Sequence, residues 1–381
     1  MKHLIVFSCL VFLILSCTSK KKERLEDDKI PIDKKIIAYV NAWEDNWGEN
    51  FEKAKQITHI NYAFANIKDG EVIEGKDTDT EIIKKLNNLK QVNKNLKILI
   101  SVGGWSWSKN FSDAVLTEES REKFANSAIA FMQRHQIDGI DLDWEYPGLP
   151  GDGNMHRPED KENFTAILKL LREKLNTLDT DQNKYLLTIA SGASQNYLDH
   201  TNMRKAHTYL DFINIMTYDF HGGGERKTGH HANLNPSIHD DNTIVRNVAS
   251  AVQEHVTAGI PIHKIVLGVP FYGRWWKGAN PINNGLYQET YGMTGSYNYE
   301  AIIDSVNSNK GFTKYWDEEA NTPYIWRQKD SLFITYDNAK SIKYKVDFVK
   351  NNQLGGVMFW QFNGDNGTLL NAIFNNLYTE K

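Results

Sequence analysis

From residue 35 onward, eight short apolar runs rich in β-branched residues alternate with segments of helical period, and no other feature restricts the fold so strongly. The runs are KIIAYV (35–40), ITHINYAFA (57–65), LKILISVGG (96–104), IDGIDLDWEY (137–146), YLLTIASG (185–192), FINIMTYDF (212–220), KIVLGVPFYG (264–273) and LGGVMFWQF (354–362). Between them, Thr117 is placed to cap a helix that buries Phe124, Ala128, Phe131 and Met132. The next helix carries Phe164, Ile167, Leu168, Leu171 and Leu175 inward. Asp241 or Asn242 is expected to open a third, with Val245, Val248, Val252 and Val256 on its inner face, stopped by Gly259 and Pro261. Asp337 is expected to open a fourth, with Ile342, Val346 and Val349. Strands joined by single crossover helices pair in parallel, and eight of them close on themselves. The predicted fold class is therefore α/β, a (β/α)8 TIM barrel.

One interval breaks the rhythm. Residues 275–336, rich in Gly, Asn, Tyr and Trp, separate FYGR (271–274) from the last helix. A plain loop of that length is unusual, so a small α+β insertion domain is expected between strand 7 and helix 7/strand 8, rising from the face where βα loops emerge. The expected division is a signal peptide at 1–16, a tether at 17–33, a barrel at 34–275 and 335–381, and the insertion at 276–334.

The leader reading rests on Lys2 and His3 followed by an apolar run from Leu4 to Leu15, too short to span a membrane. The run ends in ILSC, which resembles the lipobox of bacterial lipoprotein signal peptides and marks Cys17 for lipidation. Export with a lipid anchor in a bacterial cell envelope, at the outer membrane or cell surface, is the expected localisation. Cys9 would leave with the leader, so the mature chain keeps one cysteine and no internal disulfide. The segment TSKKKERLEDDK after Cys17 has the composition of a flexible linker.

The run at 137–146 is anomalous, because DGIDLDWE places four carboxylates in a segment that otherwise reads as a buried strand. Residues two apart share a face of a strand, so Asp141, Asp143 and Glu145 point one way and Ile140, Leu142 and Trp144 the other. Asp138 has the opposite parity and suits a polar partner at the strand start. The three carboxylates climb toward the C-terminal end of the barrel, where active sites form. Crowding and burial raise at least one pKa, which keeps a carboxylic acid protonated near neutral pH and able to donate a proton. Glu145 is outermost and positioned to reach a substrate. A hard-cation site would draw ligands from more than one strand, so no metal is expected, nor is any cofactor. His230 and His231 are adjacent rather than at zinc-ligand spacing and read as loop residues. Gly222 to Gly224 lack the Lys and Ser/Thr of a phosphate loop and read as a flexible loop. The formal net charge of -4 gives no basic surface for nucleic acid. Ten Trp, several of them beside Gly or at strand ends, suit the flat faces of sugars.

DGIDLDWEYPG resembles the DxxDxDxE signature of glycoside hydrolase family 18, the chitinases and their relatives. SVGGW, MTYDFHG, FYGR and GGVMFWQF are similar to further motifs of that family, in the same order, and the likeness runs over about residues 34–375. The insertion resembles that of the deep-cleft branch. The resemblance implies that Glu145 donates a proton to the glycosidic oxygen, that Asp143 orients the substrate acetamido group with Asp141 behind it sharing a proton, and that Tyr218 hydrogen-bonds the acetamido carbonyl. It implies further cleft positions at Tyr39, Gly104, Trp105, Tyr146, Met216, Asp219 and Arg274. It also implies a sugar-flooring Trp360 and a Ser101 that supports Asp141 from beneath. Parity alone puts Asp219 on the other face unless the strand has turned before it. Where relatives carry a Trp two residues after YDFHG, this chain has Gly224, so an aromatic platform on the leaving-group side is missing. The implied partner is chitin or N-acetylglucosamine oligosaccharides, with the membrane met only through the anchor, and a monomer is expected. The alternatives in the same family are a cleft that binds sugar without cleaving it and an endo-β-N-acetylglucosaminidase acting on N-glycans.

Overall fold

In the computed structural model, residues 1, 34–42, 51–181, 183–244 and 246–378 are described. Cys17 and the tether at 17–33 lie outside them, as does all of the expected leader beyond its first residue. Eight parallel strands form a closed barrel: β1 (Lys35–Asn41), β2 (His59–Lys68), β4 (Lys97–Gly103), β5 (Gly139–Asp143), β6 (Leu186–Gly192), β7 (Phe212–Met216), β8 (Ile265–Pro270) and β14 (Gly356–Trp360). Pairing of β1 with both β14 and β2 closes the ring, and β3 (Glu71–Glu74) adds to β2 as an antiparallel extension. Helices cover the outside. Thr117 caps the helix Glu118–Arg134 with a reciprocal capping box to Ser120. That helix buries Phe124, Ala128, Phe131 and Met132, and Asp160–Leu178 buries Phe164, Ile167, Leu168, Leu171 and Leu175, as the period requires. No described helix is long and apolar enough to cross a membrane.

Inside the ring, Ile37, Phe212, Val266 and Met358 belong to one apolar plug. Asn61, Ser101, Asp141, Thr188 and Asn214 are also fully buried there, on strands β2, β4, β5, β6 and β7. Parallel register sets Ser101 beside Asp141 and Asp141 beside Thr188, so three polar side chains from neighbouring strands meet at one level.

Several boundaries differ from the sequence expectation. The run 137–146 is a strand only as far as Asp143, and 212–220 only as far as Met216. After Met216 the backbone turns at once, with Thr217 N donating to Ile215 O and Tyr218 N to Met216 O. The run 264–273 is two strands divided at Phe271, whose ring stacks on Phe359 at 4.2 Å. The second of them, β9 (Tyr272–Lys277), begins a five-stranded antiparallel sheet with β10 (Thr294–Asn298), β11 (Thr313–Asp317), β12 (Thr322–Arg327) and β13 (Leu332–Thr335), in the order β10-β9-β13-β12-β11. One helix, Tyr299–Asn307, accompanies it. This sheet therefore takes in Tyr272 to Trp275 as well as the residues expected for the insertion.

The helix expected to open at Asp241 or Asn242 begins at Val248, because Asn247 supplies the cap by accepting from Ser250 N. Asp240 instead closes a local turn by accepting from Asn242 N, and Asp241 pairs with Lys227. Val245 lies outside the described residues. The last expected helix opens one residue later than Asp337, at the cap Asn338, whose side chain accepts from Ser341 N. Asp337 is buried, accepts from Ser341 Oγ at 2.7 Å and pairs with the fully buried Lys345, so its charge is matched where the strand-to-helix turn enters the core.

Candidate active site

Strand β5 delivers the carboxylates. Leu142 on the strand and Trp144 just after it anchor the opposite face: both are buried under the helices, with the Trp144 ring stacked on Phe111 at 5.1 Å. Asp141 consequently points into the barrel, fully buried, where four donors meet it. Tyr39 OH and Ser101 Oγ each donate to Oδ2 at 2.8 Å, and Thr188 Oγ1 at 2.5 Å and Asn214 Nδ2 at 3.4 Å donate to Oδ1. Asp143, one step higher, is almost fully buried, and its Oδ1 has no hydrogen-bond partner. Burial, followed by the charges of Glu145 and Asp141, pushes its carboxyl well above the usual range. Glu145 follows the strand end, held by its backbone N donating to Ser108 Oγ at 2.9 Å. Burial is the largest influence on its carboxyl, with the Asp219 charge adding to it against a hydrogen bond from Tyr146, and the pKa is pushed up to about 7. Asp138 takes the structural part expected of it, accepting from Ile98 N and pairing with Lys90 at 2.6 Å.

The end of β4 comes unusually close to this strand. Gly103 has φ +106, and a Cβ there would lie 2.4 Å from Asp143 O, so only glycine permits the approach. Gly104 is placed beneath the cleft wall rather than on it. Its N donates to Asp143 O at 2.7 Å, and the Phe64 ring occupies the space a Cβ would need.

Above the carboxylates opens a cleft of about 950 Å³. Asp143, Glu145, Tyr39, Trp105, Tyr146, Met216, Tyr218, Asp219, Arg274 and Trp360 all line it, whereas Asp141, Ser101 and Gly104 lie behind it. Trp360 stacks on Phe64 at 5.5 Å between ring centres, and Trp105, half exposed at 52%, stands edge-on to Tyr146 at 6.5 Å. The early turn after β7 brings Asp219 into the cleft with φ +57, a left-handed conformation that aspartate tolerates. There Arg274 grips it through two bonds of 2.6 Å, Nε to Oδ1 and Nη2 to Oδ2. Burial opposes the ionised form of Asp219, but Arg274 and the neighbouring His231 hold its carboxyl well below the usual range. Burial and the charges of Asp143 and Glu145 keep the Tyr218 hydroxyl protonated, so it can act as a donor.

His230, His231 and Gly222 to Gly224 lie in loop and turn, as expected. The two histidines are nevertheless fully buried: His230 Nε2 lies 3.1 Å from Asp317 Oδ2, and His231 Nδ1 lies 3.7 Å from Asp219 Oδ1, beyond hydrogen-bond length. Gly222 and Gly223 line the cleft wall, and at Gly224, with φ +90, a side chain would meet nothing within 4 Å. Among the described residues no cluster of three or more His, Cys, Asp or Glu is placed to hold a metal ion.

Sequence reasoning missed Thr188, Asn214, Ser108, Phe64 and Tyr272. The first two share inward parity on strands identified from sequence, so a layer-by-layer reading of barrel parity would have found them. Ser108 and Tyr272 follow the ends of barrel strands, and Phe64 sits where the register of β2 slips between Ala63 and Ala65, none of which periodicity encodes.

Chemically, the site holds one acid that can donate a proton and no free ionised carboxylate to act as a nucleophile. Asp141 is enclosed by donors, Asp143 leans toward its protonated form, Asp219 is committed to Arg274, and Glu225, which also lines the cleft, is committed to His221 and Arg246.

The profile described as Glycosyl hydrolases family 18 matches residues 35–365. Chitinase A1 of Niallia circulans is 41% identical over 89% of this chain, which spans 58% of that protein's length. Chitinase B of Serratia marcescens is 32% identical over 84% of this chain and 76% of its own. Among solved structures, a family 18 N-acetylglucosaminidase from Paenibacillus barengoltzii superposes with a TM-score of 0.84 at 40% identity, covering 90% of this chain and all of that one. With the fold, the order of motifs and the cleft in agreement, the chain belongs to glycosyl hydrolases family 18.

Proposed function

We propose that this protein is a chitinase that hydrolyses β-1,4 bonds between N-acetylglucosamine units with retention of configuration. The observation that carries the reading is Glu145, a carboxyl with its pKa raised to about 7 at the cleft surface of a stacked acidic strand. Similarity to two proteins named chitinases, at 41% and 32% identity, supports the substrate class. In this reading Glu145 protonates the glycosidic oxygen. An ordinary retaining glycosidase sets a second carboxylate about 5–5.5 Å away as nucleophile, and family 18 departs from that rule by having the substrate assist instead. Here the 2-acetamido oxygen attacks the anomeric carbon, with Asp143 and Tyr218 on the acetamido group and Trp360 under the sugar ring.

The test is a product time course on defined N-acetylglucosamine oligomers. Accumulation of shorter oligomers is expected. Binding without release would instead establish a sugar-binding protein, and release of glycans from glycoprotein with oligomers left intact would establish an endo-β-N-acetylglucosaminidase.

The cellular place is part of the same proposal. Lipidation at Cys17 would tether the barrel to a membrane of the cell envelope through residues 17–33. Cys17→Ser is expected to move active enzyme from the membrane fraction to the soluble one, because the first barrel strand begins only at Lys35. An unchanged membrane fraction would count against lipidation.

A further inference from the structure

We propose that Thr188, with Asn214 beside it, is a positioning residue that holds Asp141 ionised and so keeps the proton of the Asp141–Asp143 pair on Asp143. The inference rests on the hydrolytic reading above and concerns two residues that touch no substrate, since neither lines the cleft. Both are fully buried in the barrel interior. The groups facing Asp141 are Tyr39 and Ser101 on Oδ2, Thr188 and Asn214 on Oδ1, and Asp143 above. Among the described residues, no cation pairs with it.

The asymmetry between the two acids is in their hydrogen bonds. Asp141 receives four donors, and an ionised carboxylate is acceptor-only, so every contact is satisfied when Asp141 is charged. Protonating it would set a hydroxyl hydrogen against those donors. Tyr39, Ser101 and Thr188 could each rotate to accept that hydrogen, but the amide nitrogen of Asn214 only donates. Asp143 has the reverse situation: its Oδ1 is buried with no donor, so the neutral form costs less there. The shortest of the four bonds is that of Thr188, at 2.5 Å, and register fixes it, since Thr188 is paired directly with Asp141 across β5 and β6. A proton kept on Asp143 lies one strand step from Glu145, on the oxygen pair that meets the substrate. On Asp141 it would be sealed below the cleft.

A satisfied core hydroxyl with no influence on protonation predicts a different outcome. Thr188→Val removes the donor and keeps the shape, while Thr188→Ser keeps the donor. Both variants, with wild type and Glu145→Gln, are assayed for kcat and KM against pH on N-acetylglucosamine oligomers, with thermal midpoints recorded. Thr188→Val is expected to lower kcat about tenfold or more, the effect of one hydrogen bond to a charged group, with KM little changed. The acid limb of its pH profile should move to higher pH, because Asp141 then takes up a proton sooner. Thr188→Ser should restore both. A Thr188→Val enzyme with wild-type kcat and acid limb, or a Thr188→Ser enzyme as impaired as Thr188→Val, overturns the inference. Should Thr188→Val fail to fold, Asn214→Leu carries the same test, with an unmoved acid limb overturning it. Inactive wild type would refute the hydrolytic reading alone. Infrared titration of the resting protein carrying Glu145→Gln, which removes the other protonated carboxyl of the site and needs no turnover, then decides: the signal of a protonated buried carboxyl should vanish when Asp143→Asn is added and persist when Asp141→Asn is added, and the opposite pattern overturns the assignment.

Discussion

Glu145→Gln is expected to lower hydrolysis of N-acetylglucosamine oligomers by about 10²- to 10⁴-fold, the usual contribution of a positioned general acid, while binding survives. The amide keeps the shape and the hydrogen-bonding reach of the acid but has no proton to give. Wild-type activity should depend on pH through the same group. Burial, aided by the Asp219 charge, raises the pKa of Glu145 to about 7, so the protonated, competent form prevails below that value. Activity should therefore fall as pH rises through about 7, and this alkaline limb should be absent from whatever activity Glu145→Gln retains. Steady-state rates and oligomer binding measured on both proteins check the expectation. Activity of the variant within a few-fold of wild type would remove Glu145 from the chemistry.

The second large effect concerns the nucleophile. If the acetamido oxygen attacks, the sugar bound before the cleavage point must be N-acetylated, and the sugar after it need not be. An amine at the first position has no carbonyl to attack and gives Asp143 and Tyr218 nothing to hold. Partly deacetylated chitosan should accordingly yield fragments whose new reducing ends are almost all N-acetylglucosamine, read by sequencing the products. The first-formed anomer, followed by proton NMR during early turnover, should be β, because two displacements restore the starting configuration. Glucosamine at new reducing ends in proportion to its abundance, or α product at first, would refute substrate assistance even with Glu145 essential. The structure gives the expectation its force, since the ionised acids that line the cleft are already engaged, Asp219 by two Arg274 hydrogen bonds and Glu225 by His221 and Arg246.

What the sequence made legible follows from periodicity. All eight barrel strands and the inner faces of the helices at 118–134 and 160–178 appear where alternation and the 3.6 period put them. So does the pointing of Asp141, because parity holds for as long as the residue is in a strand. Parity fails beyond strand ends. Asp219 and Glu145 both follow the last strand residue, by three and by two positions respectively, and local turns decide where they point. The same limit explains Gly104, whose position depends on the Phe64 ring from another strand. Burial of His230 and His231 is illegible for a different reason, because their partners Asp317 and Asp219 come from distant parts of the chain. Helix starts are ambiguous wherever two candidate caps lie close together, as with Asp337 and Asn338, since both can accept from a helix N-terminus and only packing chooses.

Barrel strand β8 and the first strand of the added sheet are separated by Phe271 alone, and Tyr272 and Arg274 are cleft residues borne on that sheet. The seam between the two architectures thus runs through the site itself. Recombination that exchanged the segment at residue 276 would leave the recipient with the donor's wall but its own Arg274, whereas a crossover at Phe271 would transfer clamp and wall together. Asp219, which stays with the barrel, must then find a matching cation on whatever arrives. For a scaffold of this kind, the unit that can be inherited or grafted is the wall plus its arginine, and its compatibility with a new host is decided by one aspartate.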